Sequence, residues 1–269
     1  MLTLLPNISS IGTNRAVAEA IGRHMDAVFR SLNGDPAVQS TPGYVRLITG
    51  EPHPLGNFVL LAEGTDVADA RAGVEPLVVC GAPAAVILPG LACSAEVHAY
   101  LSGHGFAAHE PLPAMAVEIA TLAPTALPEG HELIRVNHGP EARAWSEAFA
   151  VGYELPLRVA RAMSPETIEV SPSPDAPLQF FAIRRGGRIV GTSMLALHGG
   201  LAGVYCVATV PEERGKGIGA HATAEALRRA TALGYRVGVL QSSEAGHPIY
   251  RRLGFADYGG VPIYIRIPE

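Results

Sequence analysis

The chain has 269 residues, 48% of them hydrophobic and 17% charged, and a formal net charge of −5. That length is long for one compact domain and comfortable for two, and the apolar content argues against disorder. No uninterrupted apolar stretch reaches the roughly 18 residues that a membrane span needs, so no membrane partner is expected. The start, Met1-Leu2-Thr3-Leu4-Leu5-Pro6, carries no basic residue and no sustained apolar run, so no secretory signal is expected.

Charge is unevenly spread. Residues 1–130 hold 5 basic and 12 acidic side chains, a net of −7, and residues 131–269 hold 15 and 13, a net of +2. The shift predicts two units with different duties, and neither is basic enough to read as a nucleic-acid surface. Cys80, Cys93 and Cys206 are odd in number and widely spaced, which fits a reducing cytoplasm better than a disulfide framework. The 10 histidines are scattered without His-x-x-x-His spacing, so no metal is expected.

In the first half the pattern predicts a helix over 16–32 and strands over 44–48, 57–62 and 85–88. Proline and small residues over 122–130 read as a linker, which divides the chain into units 1–124 and 131–269. The second unit then alternates. A strand is expected over 131–136, a helix opens at Pro140 and runs through Trp145 and Phe149, both read as core, and a shorter helix covers 156–163. The proline-rich run 171–177 must be a loop. Strands over 179–184 and 188–197 flank Arg185-Gly186-Gly187 as a hairpin, and 201–210 is a third strand. A helix over 218–233 stops near Gly234; a strand over 235–240, a short helix over 248–253 and a strand over 261–267 close the chain.

One six-residue echo links the halves. Leu101-Ser102-Gly103-His104-Gly105-Phe106 and Tyr250-Arg251-Arg252-Leu253-Gly254-Phe255 each end a short helix with Gly-Phe and lead into a strand, which hints at a degenerate internal duplication.

The residues that carry chemistry centre on the turn Arg214-Gly215-Lys216-Gly217-Ile218-Gly219, between a strand and an amphipathic helix. A helix N-terminus offers unpaired N–H groups and partial positive charge. Glycines at 215, 217 and 219 let a pyrophosphate approach the backbone, and Arg214 and Lys216, the only lysine of the chain, add positive charge. A nucleoside triphosphate loop does not fit, because Val210 stands where it needs Gly and Gly217 where it needs Ser or Thr. Gly215, Gly217 and Ala220 match the dinucleotide fingerprint. Four residues, 211–214, separate them from the strand, however, and 234–241 lacks the acidic partner.

The run from Val207 to Gly219 resembles the cofactor signature of the GNAT superfamily of N-acyltransferases, R/Q-x-x-G-x-G/A after a strand. The strand order over 131–269 is similar to that fold, and Tyr250 to Phe255 resembles the second family signature. The resemblance implies an α/β (α+β) chain with a mixed central sheet flanked by helices. It implies two GNAT-like units in tandem, the first degenerate and non-catalytic. It implies transfer of an acetyl or other short acyl group from coenzyme A, by direct attack, to an amine of a small-molecule or peptide acceptor.

Within that resemblance, the backbone of Val207, Ala208 and Thr209 would bond the pantetheine arm at a splay between strands 201–210 and 235–240. The amides from Arg214 through Gly215, Lys216, Gly217, Ile218 and Gly219 to Ala220 would hold the pyrophosphate. Tyr250 would sit near the thioester sulfur and give the leaving thiolate its proton, since a phenol and a thiol have comparable pKa values. Acetyl-CoA or another short acyl-CoA is the implied co-substrate. The general base stays open. Glu213, read as solvated, and Glu244, His247 and His198 are candidates, each also readable as a surface or capping group. The strand 201–210 holds no acidic residue, which removes a position the superfamily often uses. Ser242 and Ser243 either line the cofactor or cap the next helix. A non-catalytic acyl-CoA-binding module is the alternative reading, and oligomeric state is open.

Overall fold

The computed structural model describes residues 4–268. Met1–Thr3, part of the stretch read above as lacking a secretory signal, and Glu269 lie outside the described residues. Eleven strands form one mixed sheet flanked by helices.

The first helix, α1 (Asn14–Ser31), starts where Thr13 accepts a hydrogen bond from Ala16 N–H, and it buries Val17, Ala18, Ile21, Gly22, His24, Met25 and Val28. That is a 3.6-period stripe. Strands β1 (Val38–Ser40), β2 (Tyr44–Ile48) and β3 (Asn57–Leu61) follow. Helix α2 (Val67–Cys80), absent from the sequence reading, then crosses to β4 (Ala84–Ile87). Helix α3 (Ala95–Gly103) leads into β5 (Ala107–Glu118).

The second half runs β6 (His131–Val136), α4 (Pro140–Tyr153), α5 (Leu157–Ala162), β7 (Leu178–Arg185), β8 (Arg188–His198) and β9 (Leu201–Thr209). It closes with α6 (Ile218–Ala232), β10 (Val237–Gln241), α7 (His247–Leu253) and β11 (Ala256–Arg266). This order matches the strand and helix alternation expected over 131–269. Trp145 and Phe149 are core, 0% and 2% exposed, and the indole N–H donates to Phe181 O at 2.9 Å.

Sheet order is β1-β2-β3-β4-β11-β5-β10-β9-β8-β7-β6. Each half gives its last strand to the other. β5, from the first half, pairs antiparallel with β10, while β11, from the second, pairs antiparallel with β4, and the two exchanged strands pair with each other. The linker read over 122–130 therefore joins two halves that share one continuous sheet. The sequence echo falls on this exchange: Phe106 N–H bonds Leu101 O at the end of α3, and Phe255 N–H bonds Tyr250 O at the end of α7. Helix α1 packs across the exchanged pair, and Arg158 on α5 holds the buried Asp35 carboxylate with two bonds of 2.6 and 2.7 Å.

Candidate active site

Strands β9 and β10 run parallel but pair only at Gly238↔Ala202 and Val239↔Gly203. Beyond Gly203 they separate, which opens a fork at the end of β9. The strand is buried from Leu201 to Val204, whereas Tyr205, Cys206 and Val207 are part-exposed. Cys206 has φ of 51°, left-handed backbone that a non-glycine residue adopts at a cost of about 1–2 kcal/mol. It lies at the register shift of the β8 pairing, so the bulge turns the strand where it leaves β10.

The turn before α6 lies past the end of β9. Gly215 and Gly217 have φ of 77° and 79°, and a Cβ at either would meet nothing within 4 Å. Gly217 is the N-cap and supplies no side-chain cap, and the first turn of α6 carries no acidic residue. Among the described residues no acceptor meets the amides of 215–217, and the first-turn amides of 218–220 have no intrahelical partner by construction. Ile218, 1% exposed, anchors the helix start in the core, and Ala220 packs against the cluster containing Tyr250. At Gly219 a Cβ would lie in ordinary contact, 3.6 Å from Thr209 Oγ1 and 3.7 Å from Val207 Cγ1. The result is a cradle of bare amides facing open space, which fits a pyrophosphate.

The cations of the turn are held from below. Arg214 donates to Thr209 O at 3.3 Å and to Gly152 O at 3.0 Å, while Lys216 pairs with Glu213 at 2.8 Å. Glu213 corrects the sequence reading: it is 5% exposed rather than solvated. Lys216, Arg185 and His131 all bond its carboxylate and hold it down at about 2. Burial opposes this more weakly. It is an anchor for the turn, tying β6, β7 and α6 together, and no base.

Tyr250 lies on α7, 9% exposed. Burial pushes its phenol up to about 12, against a smaller opposing effect from the Thr223 hydroxyl of α6, so it carries its proton at neutral pH. Tyr153, at the end of α4, was not singled out from sequence. It keeps 39% of its surface exposed, yet burial leads its upward pKa shift, followed by Tyr250 and Cys206. Its ring packs against Phe149, centroids 5.0 Å apart. Burial likewise pushes the Cys206 thiol up to about 12, so it stays protonated.

The other candidates separate. His247 pairs with Asp257 at 2.8 Å near the surface, and Glu244 is exposed in the preceding turn. Ser243 Oγ accepts from Gly246 N–H at 3.2 Å, while the buried Ser242 donates to Ser243 O at 2.7 Å. His198, exposed at the end of β8, has its ring 6.3 Å from that of His24. Among the described residues no group of three or more His, Cys, Asp or Glu side chains gathers as a metal site, and no helix is long and apolar enough to cross a membrane.

Comparison with known proteins agrees with this geometry. Residues 145–255 match the model of the Acetyltransferase (GNAT) family, a span that contains β9, the α6 turn and Tyr250. No curated protein matches the chain. Among solved structures, it is similar to a GCN5-related N-acetyltransferase from Kribbella flavida, with 21% identity, 94% of this chain and 96% of that one covered, and a TM-score of 0.61. A GCN5-related N-acetyltransferase from Sphaerobacter thermophilus aligns with 17% identity, coverage of 94% and 93%, and a TM-score of 0.56. A tandem GNAT protein from the clavulanic acid biosynthesis pathway aligns with 15% identity, coverage of 87% of this chain and 84% of that one, and a TM-score of 0.54. Residues 145–255 thus match the GNAT family model, in a chain whose fold along nearly its whole length is similar to that of solved GNAT proteins.

Proposed function

We propose that the protein is an acyl-CoA-dependent N-acyltransferase that moves an acetyl or other short acyl group to an amine of a small molecule or peptide. The observation that carries this reading is the uncapped start of α6 beside a fork between β9 and β10, with Tyr250 of α7 buried in the same apolar cluster as Val204 and Leu240. The thioester, when bound, supplies an acyl group already activated toward an amine.

The chain's own residues then have separable duties. The amides of 215–220, with Arg214 and Lys216, bind a pyrophosphate. The edge of β9 over Val207, Ala208 and Thr209, which no strand pairs on the β10 side, offers backbone groups to an extended arm, as an added strand would. Tyr250 holds a proton at Oη in a site shielded from water and can give it to a departing thiolate. Cys206, where β9 leaves β10, stays neutral, which keeps competing charge out of the fork.

The first half, 1–124, is read as a non-catalytic relative of the second, 131–269. Its splay is closed, since β3 and β4 pair at Phe58↔Ala85, Val59↔Val86 and Leu60↔Ile87. The three free cysteines support a cytoplasmic setting. The test is thiol release from acetyl-CoA across a panel of amines. Turnover of at least one amine, cut at least tenfold in kcat by Tyr250→Phe, is expected; cofactor binding with no turnover on any amine would favour a binding module instead.

A further inference from the structure

The first half reaches the fork through one side chain. His24, on the face of α1 laid against the sheet, is 1% exposed and stacks on Tyr205 of β9, ring centroids 5.9 Å apart and planes 5° from parallel. Gly203 makes the approach possible: a Cβ there would lie 2.3 Å from His24 Cε1 and 2.7 Å from Tyr205 Cε2.

Hydrogen bonding fixes the tautomer of the ring. His24 Nε2 lies 3.2 Å from Ala196 O, and a carbonyl only accepts, so Nε2 carries the hydrogen. Nδ1, 2.8 Å from Tyr205 Oη, is then the acceptor, and the phenol donates to it. Burial, with His198 adding to it, holds the imidazole down at about 4. His24 is therefore neutral at physiological pH, and the arrangement persists.

With its proton committed to His24, the Tyr205 oxygen presents only lone pairs to anything that approaches it. Tyr205 is also one of the four part-exposed residues of β9, next to the left-handed Cys206. Across the fork, at the end of β10, Gln241 Nε2 is buried without a hydrogen-bond partner. A buried donor left unpaired is uncommon in a finished protein interior, and this one points to a ligand that completes the fork.

We infer that Tyr205 binds the acceptor by receiving an N–H of its amine at Oη, and that His24 of the first half is the positioning residue that turns the phenol's proton away. The inference rests on the acyltransferase reading and assigns the acceptor side of that site. The amine is held in its neutral form, one N–H on Tyr205 and its lone pair free to attack. The second half alone does not complete this side of the fork, because the residue that orients Tyr205 lies 181 positions away on α1.

The test uses the full chain and steady-state kinetics with acetyl-CoA and an amine that the wild type turns over. Tyr205→Phe is expected to lower kcat/KM for the amine at least tenfold while the KM for acetyl-CoA stays within twofold. His24→Asn, whose Oδ1 offers an acceptor near the place of Nδ1, is expected to keep most of the wild-type value. His24→Gln, whose polar end extends toward the place of Nε2, is expected to lose as much as Tyr205→Phe. Turnover by Tyr205→Phe equal to wild type would overturn this inference alone, as would equal loss in His24→Asn and His24→Gln. A wild type that acylates no amine would remove the acyltransferase reading and this inference together.

Discussion

The β9–α6 and β3–α2 units are built alike: a strand, a turn, a helix crossing to a parallel strand. Their helix starts differ in what meets the first amides. Asp66 caps α2, its carboxylate accepting from Asp69 N–H, and Asp69 adds a second acid to the first turn. Gly217 caps α6 with no side chain, and no acid follows it in the first turn. Every helix start carries the same partial positive charge, but α2 satisfies its own and α6 leaves it unmet. The strands differ in step, since β3 pairs with β4 over three positions and β9 with β10 over two before the fork. One half is thus closed to an anion at the place where the other is open.

Giving α6 the cap of α2 should break the contrast most strongly. Gly217→Asp places a carboxylate over the bare amides. The left-handed φ of 79° at that position costs an aspartate roughly 1 kcal/mol, so the fold should survive. Affinity for acetyl-CoA should fall about 100-fold, or ~2.7 kcal/mol, by calorimetric titration. Gly219→Ala should act more gently. Its methyl has room in the free protein, at 3.6 Å or more from its neighbours, and alanine stabilises a helix by about 0.5–1 kcal/mol over glycine. Thermal unfolding should therefore occur at the same or a higher temperature while affinity drops about tenfold. That opposition of signs would mark the position as one reserved for ligand.

Glu213→Gln tests the anchor beneath the open turn. The carboxyl of Glu213 is depressed in the folded protein from 4.5 to about 2. Its contribution to stability is thus present above pH 4.5 and lost as pH falls toward 2. The variant should unfold more easily than wild type at pH 6, and the gap should narrow through that window, read from urea midpoints. Asp66→Ala should do least: about 1 kcal/mol of stability lost with the cap, and no change in affinity for acetyl-CoA.

The second half was legible because its signals are local. Arg185-Gly186-Gly187 marks the hairpin, and the apolar positions of 218–233 mark α6. The α6 turn and Tyr250 stand in short motifs. The first half hides its elements behind residues that argue against them. Helix α2 contains Gly73 and Pro76, both poor helix formers. Pro76 has no N–H for the carbonyl four residues back, and Arg46 of β2 donates to that carbonyl, Ala72 O, at 2.9 Å. Strand β5 holds Pro111 and Pro113 near its middle, where a central strand rarely accepts proline. They are tolerated because the β10 pairing ends at Ala114 and leaves that edge without a ladder. The exchange of β5 and β11 shows in the sequence only as the six-residue echo before each strand, which says nothing of their partners.

The site divides in the same way. Glu213 read as solvated because its partners His131 and Arg185 lie far off in sequence. His24 and Tyr205 carry no motif, and only the packing of α1 on β9 brings them together.

The most direct test of the account is calorimetric titration of the full chain with acetyl-CoA. It predicts one site per chain, weakened about 100-fold in Gly217→Asp and unaltered in Asp66→Ala. Two sites per chain, or binding by Gly217→Asp as tight as wild type, would contradict it.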